Sequence, residues 1–202
     1  MRVLSVFSLR KTLPTLALSL ALPLVAWKSY ELLTLQPESK LWVDGTSTVR
    51  SWSCKAADVD AVVEAAPNGI AQVVAGEKGV RTVRVRVQSE KLDCGNGTMN
   101  EHMRKALKVD DHKVIDFKLS DYQVSKGGDG VSGTLNGSLE LGGVTKTIAI
   151  PATGKSEGGA LRVTGSYPLN MKEYDLKPPT LMFGRIKVGE TVTVKFDLLL
   201  KS

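Results

Sequence analysis

Apolar and polar residues alternate along most of this chain from Ser39 onward. A period of two residues is typical of β-strands that bury one face and expose the other. Polar residues such as Arg84, Asp116 and Lys195 take the intervening positions and are expected to face solvent. The apolar members of the clearest runs are Val83, Val85 and Val87; Ile115, Phe117 and Leu119; Leu135, Leu139 and Leu141; Leu161, Val163 and Tyr167; and Val192, Val194, Phe196 and Leu198.

Short glycine-rich turns separate these runs and predict antiparallel hairpins between neighbours in the sequence. Further strands are expected at Leu41–Trp52, Val59–Ala66 and Ile148–Ile150, with Ile70–Val74 as another candidate. About eight strands would leave two open edges in a flat sheet, and closure into a barrel removes them. The pattern therefore predicts an all-β, antiparallel barrel of eight strands, with a twisted sandwich as the alternative. The less regular segment 172–188 is expected to cross one end of it as a long loop.

One helical segment interrupts the strand pattern, from Thr98 to Leu107. Its apolar residues Met99, Met103 and Leu107 recur at helical spacing and form one stripe. Thr98 and Glu101 have the spacing of a capping box, in which each side chain accepts from the other's backbone N–H. A single short helix between two strands predicts a lid or plug at one end of the barrel.

The first 26 residues have the organisation of a secretory signal. Arg2, Arg10 and Lys11 precede an apolar stretch that contains two prolines and is short for a membrane span. This segment is either removed near Ala26 or retained as an N-terminal anchor. Removal lowers the formal net charge from +6 to +3, because the segment carries three basic residues and no acid. So small an excess argues against nucleic-acid binding, which requires a concentrated basic face.

Cys54 and Cys94 are the only cysteines, and an even pair in an exported protein predicts a disulfide. The bond would close a loop of about 40 residues, worth roughly 4 kcal/mol in the chain-entropy model. Two thiols without a neighbouring histidine do not form a metal site. The two histidines, His102 and His112, lie in no recognisable nucleophile–base arrangement. We therefore expect no catalytic residues, metal or cofactor.

Small residues on apolar strand faces indicate room inside the barrel. Gly137 lies on the same face as Leu135 and Leu139, and an interior glycine marks either a bend or the close approach of another group. An eight-stranded barrel is either filled by side chains or holds one small ligand. Met99 and Met103 would suit an adaptable apolar wall, although methionines on a helix also serve as ordinary core.

Several segments of the chain form a characteristic series. They are G-T-S-T-V-R-S-W from Gly45, M-N-E-H-M-R-K-A-L from Met99, V-I-D-F-K-L from Val114, G-S-L-E-L-G-G-V-T-K-T-I-A-I-P from Gly137, and T-V-K-F-D-L from Thr193. In their order and spacing these segments resemble the YceI-like family of secreted, lipocalin-like proteins, over about residues 38–200. The segment G-V-T-K that follows a strand is the most specific of them.

The resemblance implies a lipocalin-like antiparallel barrel at residues 38–202, with an apolar lumen that binds a polyisoprenoid chain in the periplasm. It leads us to expect a non-catalytic carrier or storage protein for a polyisoprenoid or quinone-like molecule, in contact with a membrane surface. The residues expected to bind the ligand are Val85, Val87, Met99, Met103, Phe117, Leu119, Leu135, Gly137, Val163 and Tyr167.

The chain departs from the family pattern at two places. Lys113 replaces a proline before the V-I-D-F strand, and Tyr174-Asp175 replaces an aromatic–glycine pair in the end loop. The second change affects the expected length or head group of the ligand rather than the barrel. Two other functions stay open, an envelope interaction protein with a filled barrel and a hydrolase or isomerase acting on a substrate in the lumen.

Overall fold

Residues 29–202 are described by the computed structural model, and strands dominate them; the predicted N-terminal signal or anchor at 1–26 lies outside this range. The elements are β1 (Glu31–Leu35), β2 (Lys40–Thr46), β3 (Ser51–Ala56), β4 (Val59–Ala65), α1 (Gly69–Val74), β5 (Val80–Gln88), β6 (Leu92–Asp93), α2 (Gly97–Ala106), β7 (Val114–Gly127), β8 (Gly130–Leu141), β9 (Val144–Glu157), β10 (Ala160–Asn170), β11 (Thr180–Leu181), β12 (Ile186–Lys187) and β13 (Thr191–Lys201).

Eight strands close into an antiparallel barrel, in the order β1-β4-β5-β7-β8-β9-β10-β13, with β1 pairing back onto β13. The short strands β2, β3 and β6 lie in line with β1, β4 and β5, respectively. Strand β2 pairs with the first half of β13, β3 pairs with β2, and β6 pairs with β3. The predicted segment Leu41–Trp52 is thus two strands, because the turn at 47–50 reverses the chain. The eight-stranded all-β barrel expected from the sequence is confirmed.

Tight turns join the four longest hairpin strands and fix their register. The β8–β9 turn places Gly142 and Gly143 at φ 56° and 84°, and the β9–β10 turn uses Gly158 and Gly159 in the same way. Left-handed residues at both central positions match the twist of the flanking strands. In β7 the register shifts between Leu119 and Asp121, so Tyr122 and Val124 return to the inner face.

The sequence made Ile70–Val74 a candidate strand. That prediction is wrong, because the segment belongs to the helix α1. Asn68 adopts a left-handed conformation and turns the chain out of β4 before the helix begins. Ile70, Val73 and Val74 then lie on one helical face and pack against Val131 and Leu161. A five-residue apolar run fits a strand or a helix equally, and the packing partners decide between them.

The helix expected at Thr98–Leu107 is present as α2, but the predicted capping box is wrong. Asn96 is the N-cap residue, and its side chain accepts from the Met99 backbone N–H at 3.1 Å. Glu101 instead pairs with Lys105 one turn later, at 2.8 Å. An Asn N-cap satisfies the same free backbone donor that Thr98 would have satisfied.

The predicted disulfide between Cys54 and Cys94 is present. It joins Cys54, the buried residue within β3, to Cys94, which follows β6 and lies two residues before the N-cap of α2. The bond therefore anchors the start of α2 to the barrel wall.

Candidate functional site

An elongated apolar cavity of about 270 Å³ occupies the barrel interior. Its wall consists mainly of valine, leucine, isoleucine and aromatic side chains from seven of the eight barrel strands, all but β1, and from β2. Among residues 29–202, no Asp, Glu, Lys, Arg or His lines it. Such a cavity offers dispersion and apolar contact along its length and no charge to hold a small ion or a sugar.

Two groups of buried side chains close the ends of this cavity. At the end that we call the Tyr174 end, Tyr174 and Leu176 pack on Leu141, Leu169 and Val192. At the opposite end, the α1 end, the side chain of Val73 packs on Val131 and Leu161. Segments outside the barrel strands thus close both ends, since Tyr174 and Leu176 belong to the 172–188 segment that was expected to cross one end.

Between these groups lies a hollow waist, lined by Leu41, Ala61, Val85, Leu119, Ala152 and Leu198. These side chains point into a closed barrel, yet they keep exposed surface, whereas Leu139, Leu161 and Leu200 nearer the ends are buried. In the part of the chain that the structure describes, Val85, Leu119 and Leu198 pack against none of the buried core groups. The barrel is therefore packed at its ends and unfilled in its middle.

The cavity is long and narrow. It reaches from Val131 to Leu141, ten residues apart on β8. At about 3.3 Å per residue and a strand tilt near 40°, this span corresponds to roughly 25 Å along the barrel axis. A linear apolar chain fits that shape better than a compact ring system does.

Seven of the ten predicted ligand-binding residues line the cavity: Val85, Val87, Phe117, Leu119, Leu135, Val163 and Tyr167. They come together because the period-two alternation of β5, β7, β8 and β10 turns their side chains inward. Their role in binding stays a prediction.

The structure places Gly137 outside the cavity lining, contrary to the expectation. A Cβ atom at this position would lie 2.6 Å from the Phe117 ring. The ring of Phe196 covers Gly165 in the same way, and the ring of Trp52 covers Gly45. These strand glycines provide space for aromatic rings rather than for a ligand.

Met99 and Met103 also lie away from the cavity, so the placement of α2 as a lid over the lumen is wrong. No residue of α2 is buried. The Met99 sulfur lies 3.7 Å from the Arg50 guanidinium, and the Met103 sulfur lies 3.8 Å from Cys94 Sγ. The disulfide ties the start of the helix to β3, no residue of the helix lines the cavity, and Leu107, which follows the helix, packs on the buried group at the Tyr174 end.

Several lining residues were missing from the predicted set. Ala61 lies at an inward position of β4, and Ala152 at an inward position of β9. Their small side chains keep the waist open, and the alternation of Val59, Ala61 and Val63 was the signal that could have identified the first of them. Val194, Phe196 and Leu198 were recognised as a strand but not as cavity wall.

Tyr174 is the one side chain at the cavity ends with a buried polar atom that lacks a partner in residues 29–202. The residue is 1% exposed, and its hydroxyl makes no hydrogen bond there. Burial raises the pKa of Tyr174 to about 12, with smaller contributions from Tyr167 and Glu173. Burial also raises the pKa of Tyr167, whose side chain lines the cavity beside this end.

Charged side chains form pairs on the outer surface of the wall. Arg84 donates to Asp116 at 2.5 Å, and Arg86 pairs with Asp60 at 2.6 Å. The hydrogen bonds from Arg84 hold the pKa of the Asp116 carboxyl below its usual value. These arginines are thus occupied by carboxylates, which leaves little reason to assign them to an anionic ligand.

Neither histidine belongs to a recognisable catalytic arrangement within residues 29–202. The ring of His112 lies against Gly143, where a Cβ atom would come within 2.5 Å of it. No group of three or more His, Cys, Asp or Glu side chains in the described range is arranged to hold a metal ion. The helices of this range are also too short or too polar to cross a membrane.

The family model for the YceI-like domain matches residues 40–200. No curated protein sequence matches the chain.

Solved structures with the same fold include BcnA of Burkholderia cenocepacia, with a TM-score of 0.64 and 16% identity over 80% of this chain and 95% of that one. A polyisoprenoid binding domain from Saccharophagus degradans has a TM-score of 0.59 and 14% identity, covering 86% of this chain and 98% of its own. A YceI protein from Campylobacter jejuni has a TM-score of 0.57 and 13% identity, covering 71% and 80%.

Proposed function

Since this chain belongs to the YceI-like family, we propose that it is a non-catalytic carrier or storage protein for one long apolar molecule, a polyisoprenoid or quinone-like lipid. The hollow waist is the observation that carries this proposal. A barrel that served only as an interaction scaffold would gain stability by filling its core, and unfilled apolar space costs packing energy. The name of the Saccharophagus degradans domain supports the same class of ligand.

The energetics favour a chain of intermediate or greater length. Each buried methylene contributes about 0.8 kcal/mol, so a chain of about twenty carbons gains roughly 16 kcal/mol before costs. Loss of translational and rotational freedom offsets about 4–15 kcal/mol of this. The remainder is roughly 1–12 kcal/mol, which corresponds to micromolar or tighter binding where the cost is no more than about 8 kcal/mol. A chain half as long gains only roughly 8 kcal/mol and is left with weak binding at best.

The protein acts, in this proposal, outside the cytoplasm in the periplasm and at a membrane surface. The Cys54–Cys94 disulfide supports an oxidising compartment. The apolar stretch before residue 27 supports export, by a cleaved signal or by a retained anchor. An isoprenoid chain resides in membranes, so a carrier has to meet a lipid surface to load or release it.

A series of prenyl alcohols tests this function. Thermal unfolding of ligand-free protein is measured with geraniol, farnesol and geranylgeraniol at equal concentrations. Stabilisation that increases with chain length is expected, because each added isoprene unit buries more apolar surface. The absence of any shift with geranylgeraniol would contradict the proposal.

A further inference from the structure

Three strongly exposed apolar side chains lie together beyond the Tyr174 end of the barrel. Phe183 is fully exposed, and Met182 and Val49 are 67% and 68% exposed. Met182 and Phe183 occupy the turn of the β11–β12 hairpin, and Val49 lies in the β2–β3 turn. We call these three side chains the apolar tip.

Hydrogen bonds hold the two turns together as one surface. The backbone N–H of Thr48 donates to the Lys187 carbonyl at 3.0 Å, and the Thr48 hydroxyl donates to the Arg185 carbonyl at 3.3 Å. Ser47 forms a bridge with Val188, which packs on the buried group at the Tyr174 end. The apolar tip is therefore coupled directly to the element that closes the cavity.

The turn does not explain why its tip is apolar. Met182 and Phe183 have φ values of 50° and 54°, in the left-handed region that bulky residues rarely adopt. Asn or Gly would form the same turn with less strain. Strained residues at an exposed position point to a function of the side chains that they present.

Basic residues surround the apolar tip. Arg50, Lys177, Arg185 and Lys187 are exposed, and they form no ion pair in residues 29–202. The segments 45–52 and 176–189 contain no Asp or Glu. The flanking carboxylates are already paired, Asp175 with Lys108 at 2.9 Å and Glu190 with Lys172 at 2.5 Å.

We propose that the apolar tip and its basic surround form a docking surface for an anionic lipid bilayer, which brings the Tyr174 end of the cavity against the membrane. Aromatic and Met side chains enter the interface between head groups and acyl chains, and Lys and Arg bind the anionic head groups. One part of this proposal rests on the proposed function, namely that the cavity exchanges its ligand with the bilayer through the Tyr174 end.

Vesicle co-sedimentation tests the docking surface. The chain beginning at residue 27 is used, so that the N-terminal apolar segment contributes nothing; the closed barrel begins at Glu31 and is complete in it. Vesicles contain phosphatidylcholine with or without phosphatidylglycerol. We expect binding to the anionic vesicles and much weaker binding to the zwitterionic ones. Equal binding to both would overturn the role of the basic residues.

Two sets of variants locate the surface. The double variant M182S/F183S is expected to weaken anionic-vesicle binding by at least roughly tenfold, because two side chains no longer enter the bilayer. The triple variant K177Q/R185Q/K187Q is expected to lose roughly fivefold for each charge removed. Leu32→Ser is the matched control, since Leu32 is 65% exposed on β1, away from the tip. Unchanged binding by the double variant, or an equal loss in the control, would overturn the proposal.

Two further measurements separate this proposal from its alternatives. Analytical ultracentrifugation without vesicles measures self-association. If the wild-type protein forms dimers that M182S/F183S does not form, and the wild-type protein does not bind vesicles, the partner of the apolar tip is a second copy of the chain and the bilayer proposal is overturned. Geranylgeraniol binding in solution should be unchanged in M182S/F183S. Wild-type protein that binds vesicles through the tip but no geranylgeraniol would refute the proposed function and leave the docking surface intact.

Discussion

Filling the waist of the barrel should stabilise the protein and weaken ligand binding. Val85 lines the cavity, keeps exposed surface inside the barrel and packs against none of the buried core groups of residues 29–202. Val85→Phe adds four carbon atoms to the unfilled space. At about 0.8 kcal/mol per buried methylene the gain is at most roughly 3 kcal/mol, and lost side-chain freedom reduces it to about 1–2 kcal/mol.

The matched control is the same substitution at a packed position of the same cavity wall. Val131 is 5% exposed, and its Cγ2 atom would lie 2.9 Å from a Cβ at Gly154. Extra carbon atoms in a close-packed region force neighbours from their preferred positions and cost about 1–3 kcal/mol. Val131→Phe should therefore destabilise the fold, and the two Val→Phe changes should have opposite signs.

Urea unfolding of ligand-free protein measures both free energies. The same preparations are titrated with geranylgeraniol, for which Val85→Phe should lose at least roughly tenfold in affinity, because the ring occupies volume that the chain requires. If Val85→Phe destabilises the protein as much as Val131→Phe does, the waist is packed in solution. Unchanged ligand affinity in a stabilised Val85→Phe protein would refute the location of the site.

Three other properties follow from contacts in the same barrel. Tyr174→Phe should raise the free energy of unfolding by about 1 kcal/mol, because it removes a buried hydroxyl without a partner in the described residues; a loss of stability in urea would contradict this. The hydrogen bonds from Arg84 lower the pKa of the Asp116 carboxyl, so the ionised carboxylate stabilises the fold above the unfolded pKa near 3.8, and this stabilisation is lost as the pH falls below that value. Asp116→Asn should therefore flatten the acid limb of a plot of unfolding free energy against pH, and an unchanged limb would refute the pairing. Replacing Cys54 and Cys94 by alanine should cost about 2–4 kcal/mol in urea, whereas a cost near zero would show that the loop is not constrained by the bond.

The inward face of the barrel could be predicted because a strand has only two faces. Once Val85 and Phe117 are assigned to buried faces, their neighbours at a period of two follow. The bulge at Ser120 is the exception, since one extra residue moves Tyr122 and Val124 onto the inner face. The glycine-rich turns likewise predicted the antiparallel order of β7 to β10.

The closure of the cavity could be predicted only at the end that the 172–188 segment crosses, because the rest depends on contacts between residues far apart in the chain. The stripe of α2 was apparent in the sequence, but the helix, whose start the Cys54–Cys94 bond ties to β3, contributes no residue to the cavity wall. The run Ile70–Val74 could form a strand or a helix until its partners on β8 and β10 were known. Gly137 on β8 leaves space for the Phe117 ring on β7, and neither strand's sequence by itself indicates this contact.

Lipid extraction of the exported protein, followed by mass spectrometry, tests the central claim most directly. The claim is that the hollow waist holds one long apolar molecule. We expect a prenyl lipid at about one molecule per chain in the wild-type protein, and far less in Val85→Phe purified in parallel. A wild-type protein that carries no prenyl lipid, and that geranylgeraniol does not stabilise, would contradict the claim.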